Sequence, residues 1–412
     1  MDDAFERQLA FTEELVRLPS QRGQEHTAQE CMFEAMRTRD LAMDRFVIDV
    51  DEIRDHPGFS PVTVPYDNAV NVIGTHRPRE AKGRSLIVNG HIDVVPTGPH
   101  DMWSTPPYEP RVIDGWLHGR GAGDMKAGLA SNLFAYDALR AVGVAPAATV
   151  YFQSVTEEEC TGNGALACLL RGYSADAVLI SEPVNETLTR ANVGVIWFQV
   201  EVRGRPAHVA ESEIGSSAIL AMYRVIEALQ RLEDRWNAKK TGRAHFDHLA
   251  KPISINIGKI VGGDWASAVP GWCRIDVRAG IYPGESVSEA QSEIEAAVLE
   301  ATRDDPFLSK HPPTITYNGF AAEGYVLEEG SAAEECLRHA HTCVYEEDLM
   351  ATTFPAYLDA RVFALYDNTP SLVYGPTCER IHGFDERVEI ESIRRVTQVI
   401  ALFMAEWCGV EF

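Results

Sequence analysis

No stretch of this chain approaches the roughly 18 consecutive apolar residues of a membrane-spanning helix, so no helical span is expected. Its eight cysteines are scattered, with no Cys-x-x-Cys pair, which predicts reduced thiols in a cytoplasmic protein rather than a disulfide framework. Basic residues are scarce: 37 Lys and Arg stand against 61 Asp and Glu, a net charge of −24. Nucleic acid needs a basic footprint, and this balance argues against it as a partner. The first residues, Met-Asp-Asp-Ala-Phe-Glu-Arg, are acidic and amphipathic and lack the basic-then-apolar pattern of a signal peptide. Internal repeats and low-complexity segments are absent. The glycine-rich run Gly119-Arg-Gly-Ala-Gly-Asp-Met-Lys-Ala-Gly128 lacks the Gly-Lys-Ser/Thr ending of a phosphate loop.

What remains is a 412-residue chain, 45% hydrophobic, long enough for two or three domains. Residues 3–40 carry helical spacing. Apolar runs at 85–90, 148–155 and 177–180 read as buried strands, separated by helical segments at 126–142 and 163–172. That alternation predicts an α/β domain with a mixed, mostly parallel sheet flanked by helices. Near residue 190 the texture changes. Strand patterns at 193–202, 252–260, 268–279 and 313–317 alternate with helical patterns at 213–232 and 286–302, a strand-helix-strand-strand-helix-strand module inserted into the first domain. The division is therefore 1–190 with 320–412, and 191–319 between them. The later part predicts a helix at 330–345, a strand at 371–374 and a helix at 389–407. The loop at 55–70 is the expected mobile stretch.

Five places carry chemistry. In Asn89-Gly-His-Ile-Asp-Val-Val-Pro96, His91 and Asp93 are two residues apart on a strand and so share a face. A metal-binding imidazole commonly donates its other N–H to a carboxylate, and the same pair also fits a hydrogen-bonded core histidine. Asp124 opens a helix in a loop whose glycines permit close backbone approach, a position for a carboxylate between two cations or for a plain helix cap. Glu157-Glu-Glu159 follows a strand, and three adjacent carboxylates repel unless solvated or bound to cations. Glu158 and Glu159 reach one site only if the chain bends, leaving one to bind metal and the other to handle a water proton. Glu182, in Ser-Glu-Pro, and His382, in His-Gly-Phe-Asp-Glu-Arg, each lie beyond another strand. All five places fall at one edge of a parallel sheet, where open α/β folds bind ligands. Two imidazoles with three carboxylates suit zinc, cobalt or manganese.

Taken in order, these motifs, with Gly-Arg-Pro-Ala-His208 and Val-Pro-Gly-Trp-Cys-Arg, resemble the zinc aminoacylase and exopeptidase family of acetylornithine deacetylase, succinyl-diaminopimelate desuccinylase, aminoacylase and carboxypeptidase G. The resemblance implies a zinc-exopeptidase-like catalytic domain with an inserted, ferredoxin-like α+β dimerisation lid, and a homodimer formed through that lid. It implies two divalent ions, one on His91 and Glu182, the other on Glu159 and His382, with Asp124 bridging. Asp93 would orient His91, Glu158 would serve as general base, and the Asp124–Met125 peptide would be cis. His208 would stabilise the oxyanion, in its own subunit or the neighbouring one, and Arg278 would pair with a substrate carboxylate. The implied reaction removes an acyl group from a small N-acyl amino acid. A dipeptidase or carboxypeptidase, a deformylase or decarbamoylase, and a silent binding protein are the alternatives. Three departures from the family pattern, Ser267-Ala268, Val209-Ala-Glu-Ser-Glu213 and Ile381, fall where the substrate binds rather than on the metal positions.

Overall fold

The computed structural model describes residues 2–412. The chain opens with two helices, α1 (Asp2–Arg17) and α2 (His26–Arg37), then enters its main sheet with β1 (Ala42–Val47), β2 (Val70–His76) and β3 (Leu86–His91). Helix α3 (Ala127–Ala141), β4 (Val150–Val155), α4 (Asn163–Leu170) and β5 (Ala177–Ile180) follow. The chain then makes a second sheet of β6 (Gly194–Arg203), β7 (Ile255–Gly262), β8 (Trp272–Ile281) and β9 (Thr314–Ala322), with α5 (Ala218–Ala238) and α6 (Val287–Glu300) between strands. It returns with α7 (Ala332–Tyr345), β10 (Ser371–Val373), which completes the main sheet beside β5, and α8 (Ile390–Cys408).

The main sheet runs β1-β2-β4-β3-β5-β10. The four strands β4, β3, β5 and β10 are parallel, while β2 and β1 add on antiparallel at one edge. Strand alternation decides what covers each face. Gly90 meets Met125 and Leu129, and Phe152 meets Tyr136 edge-on, so α3 lies on that side. Ile73 and Val155 point the other way, onto Cys168 of α4. Both faces of β3 are buried, which is why Leu86-Ile-Val is continuously apolar.

The second sheet is antiparallel throughout, ordered β7-β8-β6-β9, with α5 and α6 on one face. Phe198, Val200, Ile275 and Val277 pack there against Met222, Leu229 and Ile294 in a core of their own. The strands that enter and leave this unit, β6 and β9, are hydrogen-bonded neighbours, with Val195 opposite Ala322.

Three local expectations need correction. The helix expected from 213 starts at Ala218, because the Ser217 hydroxyl accepts from the Leu220 N–H and caps it there; 209–214 is a 3-10 turn instead. The last strand of the second sheet extends to Ala322. The 55–70 loop is anchored: Asn163 accepts from the Ser60 N–H, and the buried Tyr66 hydroxyl donates to Glu157.

A buried ion pair ties α7 to the strand Leu188–Asn192. Arg190 donates to both oxygens of Glu334, at 2.5 and 2.9 Å, and both side chains are about 95% buried (5% and 4% exposed). Burial alone would raise the Glu334 carboxyl, but the Arg190 and Arg338 bonds outweigh it and hold it at about 2. A folded value below the ordinary 4.5 gives stabilisation that is complete above that pH and lost as pH falls toward 2. Glu334→Gln should lower stability by about 3–5 kcal/mol at neutral pH, since it leaves the buried Arg190 charge with only the exposed Glu329, 4.0 Å away. In urea unfolding the gap from wild type should shrink between pH 4.5 and 2; a gap undiminished near pH 2 would discount the pair.

Candidate metal centre

Parallel strands deliver their carboxyl ends to one edge, and the polar residues collect there. β3 ends on His91, β4 leads to Glu158 and Glu159, and β5 leads to Glu182. Asp124 arrives on the loop before α3. That loop turns through Gly121 at φ +76°, and Gly128 brings α3 so near β5 that a Cβ there would collide with the Ser181 carbonyl. The Asp124–Met125 peptide is cis. His382, at φ +62°, comes from the loop after β10 and is the exposed member of the group.

The Asp124 carboxylate faces two sets of donors. Its Oδ1 lies 3.0 Å from His91 Nε2, which is 3.6 Å from Glu182 Oε1. Its Oδ2 lies 3.2 Å from His382 Nε2, which is 3.1 Å from Glu159 Oε2. Glu158 Oε2 stands farther back, 4.0 Å from His91 Nε2. The chemistry of this donor set fits divalent cations: two imidazoles and three carboxylates converge, and the buried negative charge exceeds what two imidazoles neutralise. Burial, with Glu182 and Asp359 adding to it, pushes Glu158 well above the carboxylate range despite His91. Burial likewise raises Glu182 to about 7. Against its own burial, His91 is held well above the imidazole range by Glu182 and Glu158; Glu159, ahead of burial, sets His382 at about 11.

Asp93 is placed differently from the expectation. His91 Nδ1 donates to the Asp93 backbone carbonyl at 2.8 Å, while the carboxylate Oδ1 stands 3.7 Å away. The strand ends at His91, so the chain turns and presents the carbonyl first. Asp93 Oδ2 instead accepts the Glu159 N–H at 3.1 Å, joining the β3 end to the glutamate turn.

The bend that aims Glu158 and Glu159 at one site is made by Glu157, at φ +69°. Its buried carboxylate accepts two bonds from Arg22, at 2.6 and 2.7 Å, one from Tyr66 at 2.6 Å and one from Thr161 at 2.9 Å. Sequence reasoning missed this anchor. Its one visible sign was a third glutamate with no chemical task.

A cleft of about 380 Å³ opens on the centre, lined by Asp124, Glu158, Glu159, Glu182 and His382 on one side. The opposite wall comes from the face of the second sheet that α5 and α6 leave uncovered. Trp197 of β6 pairs with Arg278 of β8, which pairs with Asn256 of β7, so the three form one row. Phe320 stacks edge-on against Trp197, and Tyr357 lies against Phe320. Arg278 donates to the carbonyls of Ser254 and Pro355, at 3.4 and 3.3 Å, and makes no ion pair with any described residue. Burial without a counter-charge draws its guanidinium down to about 10. Trp197 and Asn256 were not singled out beforehand, although the alternation of 193–202 marks one face of that strand as uncovered.

His208 is the residue that its own chain does not bring to this site. It is exposed, caps the 3-10 turn with Nδ1 accepting from Ala210 N–H at 3.1 Å, and bridges to Ala268 at the far end of the second sheet. A site completed within one chain is therefore a site without His208.

The family model described as Peptidase family M20/M25/M40 matches residues 87–406. The N-formyl-4-amino-5-aminomethyl-2-methylpyrimidine deformylase of Halalkalibacterium halodurans is 31% identical over 83% of this chain and 84% of its own. The succinyl-diaminopimelate desuccinylase of Delftia acidovorans is 29% identical over 71% and 73%. In fold, the chain is similar to the dipeptidase Dug1p of Saccharomyces cerevisiae, with a TM-score of 0.78, 16% identity and coverage of 99% and 97%.

Proposed function

The chain belongs to peptidase family M20/M25/M40, a family of metal-dependent hydrolases, and we propose that it cleaves the C–N bond of a small N-acyl amide at a two-ion centre. One observation carries the reading: the two oxygens of Asp124 face separate imidazole–carboxylate pairs, with Glu158 beside them. His91 with Glu182 would hold one ion, Glu159 with His382 the other, and Asp124 would serve both. Ions bound there supply the Lewis acidity that polarises the amide carbonyl and acidifies the attacking water. Zinc is the first choice for this donor set, with cobalt and manganese next.

The chain's own groups do the rest. Glu158 takes a proton from the water on a carboxylate oxygen and hands it to the nitrogen of the departing amine. Asp93 keeps the His91 ring and the Glu159 turn in register through its carbonyl and Oδ2. Arg278 receives an anionic group of the substrate, and Asn256 and Trp197 flank it. His208 of a second copy would supply the donor for the oxyanion. Apolar side chains standing exposed on the same unit support a dimer formed there, among them Leu220 and Tyr223 on α5 and Ile260 and Val261 on the edge strand β7.

The unpaired Arg278 favours a carboxylate-bearing substrate, an N-acyl amino acid as in acetylornithine-type deacylation. The aromatic corner of Trp197, Phe320 and Tyr357 favours a second reading, removal of a formyl group from an aminomethyl heteroaromatic amine, the reaction named for the Halalkalibacterium relative. A hydrolysis screen separates them: N-acetyl, N-succinyl, N-formyl and N-carbamoyl amino acids, dipeptides and a formylaminomethyl pyrimidine, each with zinc, cobalt and manganese. No turnover of any amide would refute the proposal. Arg278→Lys should raise KM for carboxylate-bearing substrates roughly 10- to 100-fold, the loss of a charged hydrogen bond of about 1.5–3 kcal/mol, with kcat nearly unchanged. An equal rise for a neutral pyrimidine amide would assign Arg278 another role.

A further inference from the structure

Glu386 lies four residues beyond His382 and does not line the cleft, yet its carboxylate bonds to Arg120, Gly121, Gly123 and Asp124 of the loop before α3. Its Oε1 accepts the N–H groups of Gly123, at 3.0 Å, and Asp124, at 3.1 Å. Its Oε2 accepts the Gly121 N–H at 3.1 Å and Arg120 Nη1 at 2.5 Å. The side chain is buried, 1% exposed. Four donors on two oxygens use the capacity of a carboxylate that no other side chain matches.

The same residue binds the loop from the opposite direction. The Gly119 N–H donates to the Glu386 backbone carbonyl at 3.0 Å, and Arg120 Nη2 donates to the carbonyl of Gly383, next to His382, at 3.0 Å. Ala122 N–H finds a backbone acceptor, the Gly119 carbonyl, while the Gly121, Gly123 and Asp124 N–H groups all end on the Glu386 carboxylate. Asp124 can hold its two oxygens toward two donor sets only while its backbone is fixed, and His382 can meet one of those sets only while its own loop is fixed against it. One carboxylate does both.

We infer that Glu386 is a positioning residue of the metal centre, locking the Asp124 loop to the His382 loop so that these two of the three residues at the second ion's site stay in place. The inference rests on the two-ion reading above. An amide in place of the carboxylate turns an NH2 group toward N–H donors whichever way it flips, so Glu386→Gln breaks the clamp with almost no change in volume.

The test titrates the metal-free protein with zinc by calorimetry and with cobalt by visible absorption, which reports coordination geometry. Wild type should take up two ions. Glu386→Gln should bind at least one of them roughly 10- to 100-fold more weakly, with an altered cobalt spectrum and a lower kcat at nearly constant KM. Glu386→Asp, which keeps the charge on a shorter arm, should fall between the two, and it serves as the test variant if the glutamine protein does not fold. Glu334→Gln makes the same chemical change in a buried ion pair remote from the centre; it should lose stability and keep both affinities. Wild-type affinity for both ions in folded Glu386→Gln, or in Glu386→Asp when only that variant folds, would overturn the inference. Failure of wild type to bind two ions would overturn the two-ion reading instead.

Discussion

Glu158→Gln should keep both ions and lose turnover by roughly 10²–10⁴-fold, about 2.7–5.4 kcal/mol of barrier. Glu158 stands 4.0 Å from His91 Nε2, against 3.0 Å for Asp124 and 3.6 Å for Glu182, which leaves it the carboxylate farthest from that imidazole of the three. The amide fills the same space and accepts hydrogen bonds, but it cannot take a proton from water or return one to the amine. Metal content by atomic emission and kcat on the best substrate of the screen, measured on one preparation, decide the matter. Two ions with wild-type turnover would remove Glu158 as base, and loss of an ion would make it a ligand.

His208→Ala should lower kcat by roughly 10²–10³-fold, the usual loss of one oxyanion donor, while the protein stays folded. The exposed position of His208 makes a stronger test available. In a twofold dimer that shares residues across subunits, a Glu158→Gln chain paired with a His208→Ala chain has one site missing both groups and one site missing neither. Random mixing of two inactive proteins should then recover about a quarter of the wild-type rate, since half the dimers are mixed and each has one good site. A site built within one chain recovers nothing on mixing, and that result would take His208 of a second copy out of the mechanism.

The parts of this molecule legible in its sequence are those written in local patterns. Residues 86–88, 150–152 and 177–180 are apolar runs bounded by polar residues, and strands so marked converge at one sheet edge whatever the loops do. Reading just past each run leads to His91, Glu158, Glu159 and Glu182, which the structure brings together with Asp124 and His382. A mixed sheet was expected, but its antiparallel edge strands β1 and β2 were not located, because Asp44 and Arg45 interrupt β1, and Asn71 and Gly74 interrupt β2, so neither shows a clean period. Asn71 is buried for a reason no period can express: its amide serves the Thr156 N–H and the Gly164 carbonyl. The supports of the centre are harder still to read. Arg22 is 135 residues from Glu157, and Glu386 is 262 residues from Asp124; such pairs leave no trace in either neighbourhood.

The second sheet joins the rest of the molecule through β6 and β9, two hydrogen-bonded strands side by side. A two-stranded ribbon resists sliding along its length but flexes across its thin direction. The row of Trp197, Arg278 and Asn256 lies on one side of that ribbon, and the carboxylates and imidazoles of the candidate centre lie on the other. On the proposed reading the molecule is built like a caliper: one jaw would hold the reacting carbonyl, the other the distal group, and the ribbon between them would set the gap. Compounds of the wrong length would then fail by not reaching both jaws, with no clash needed to reject them.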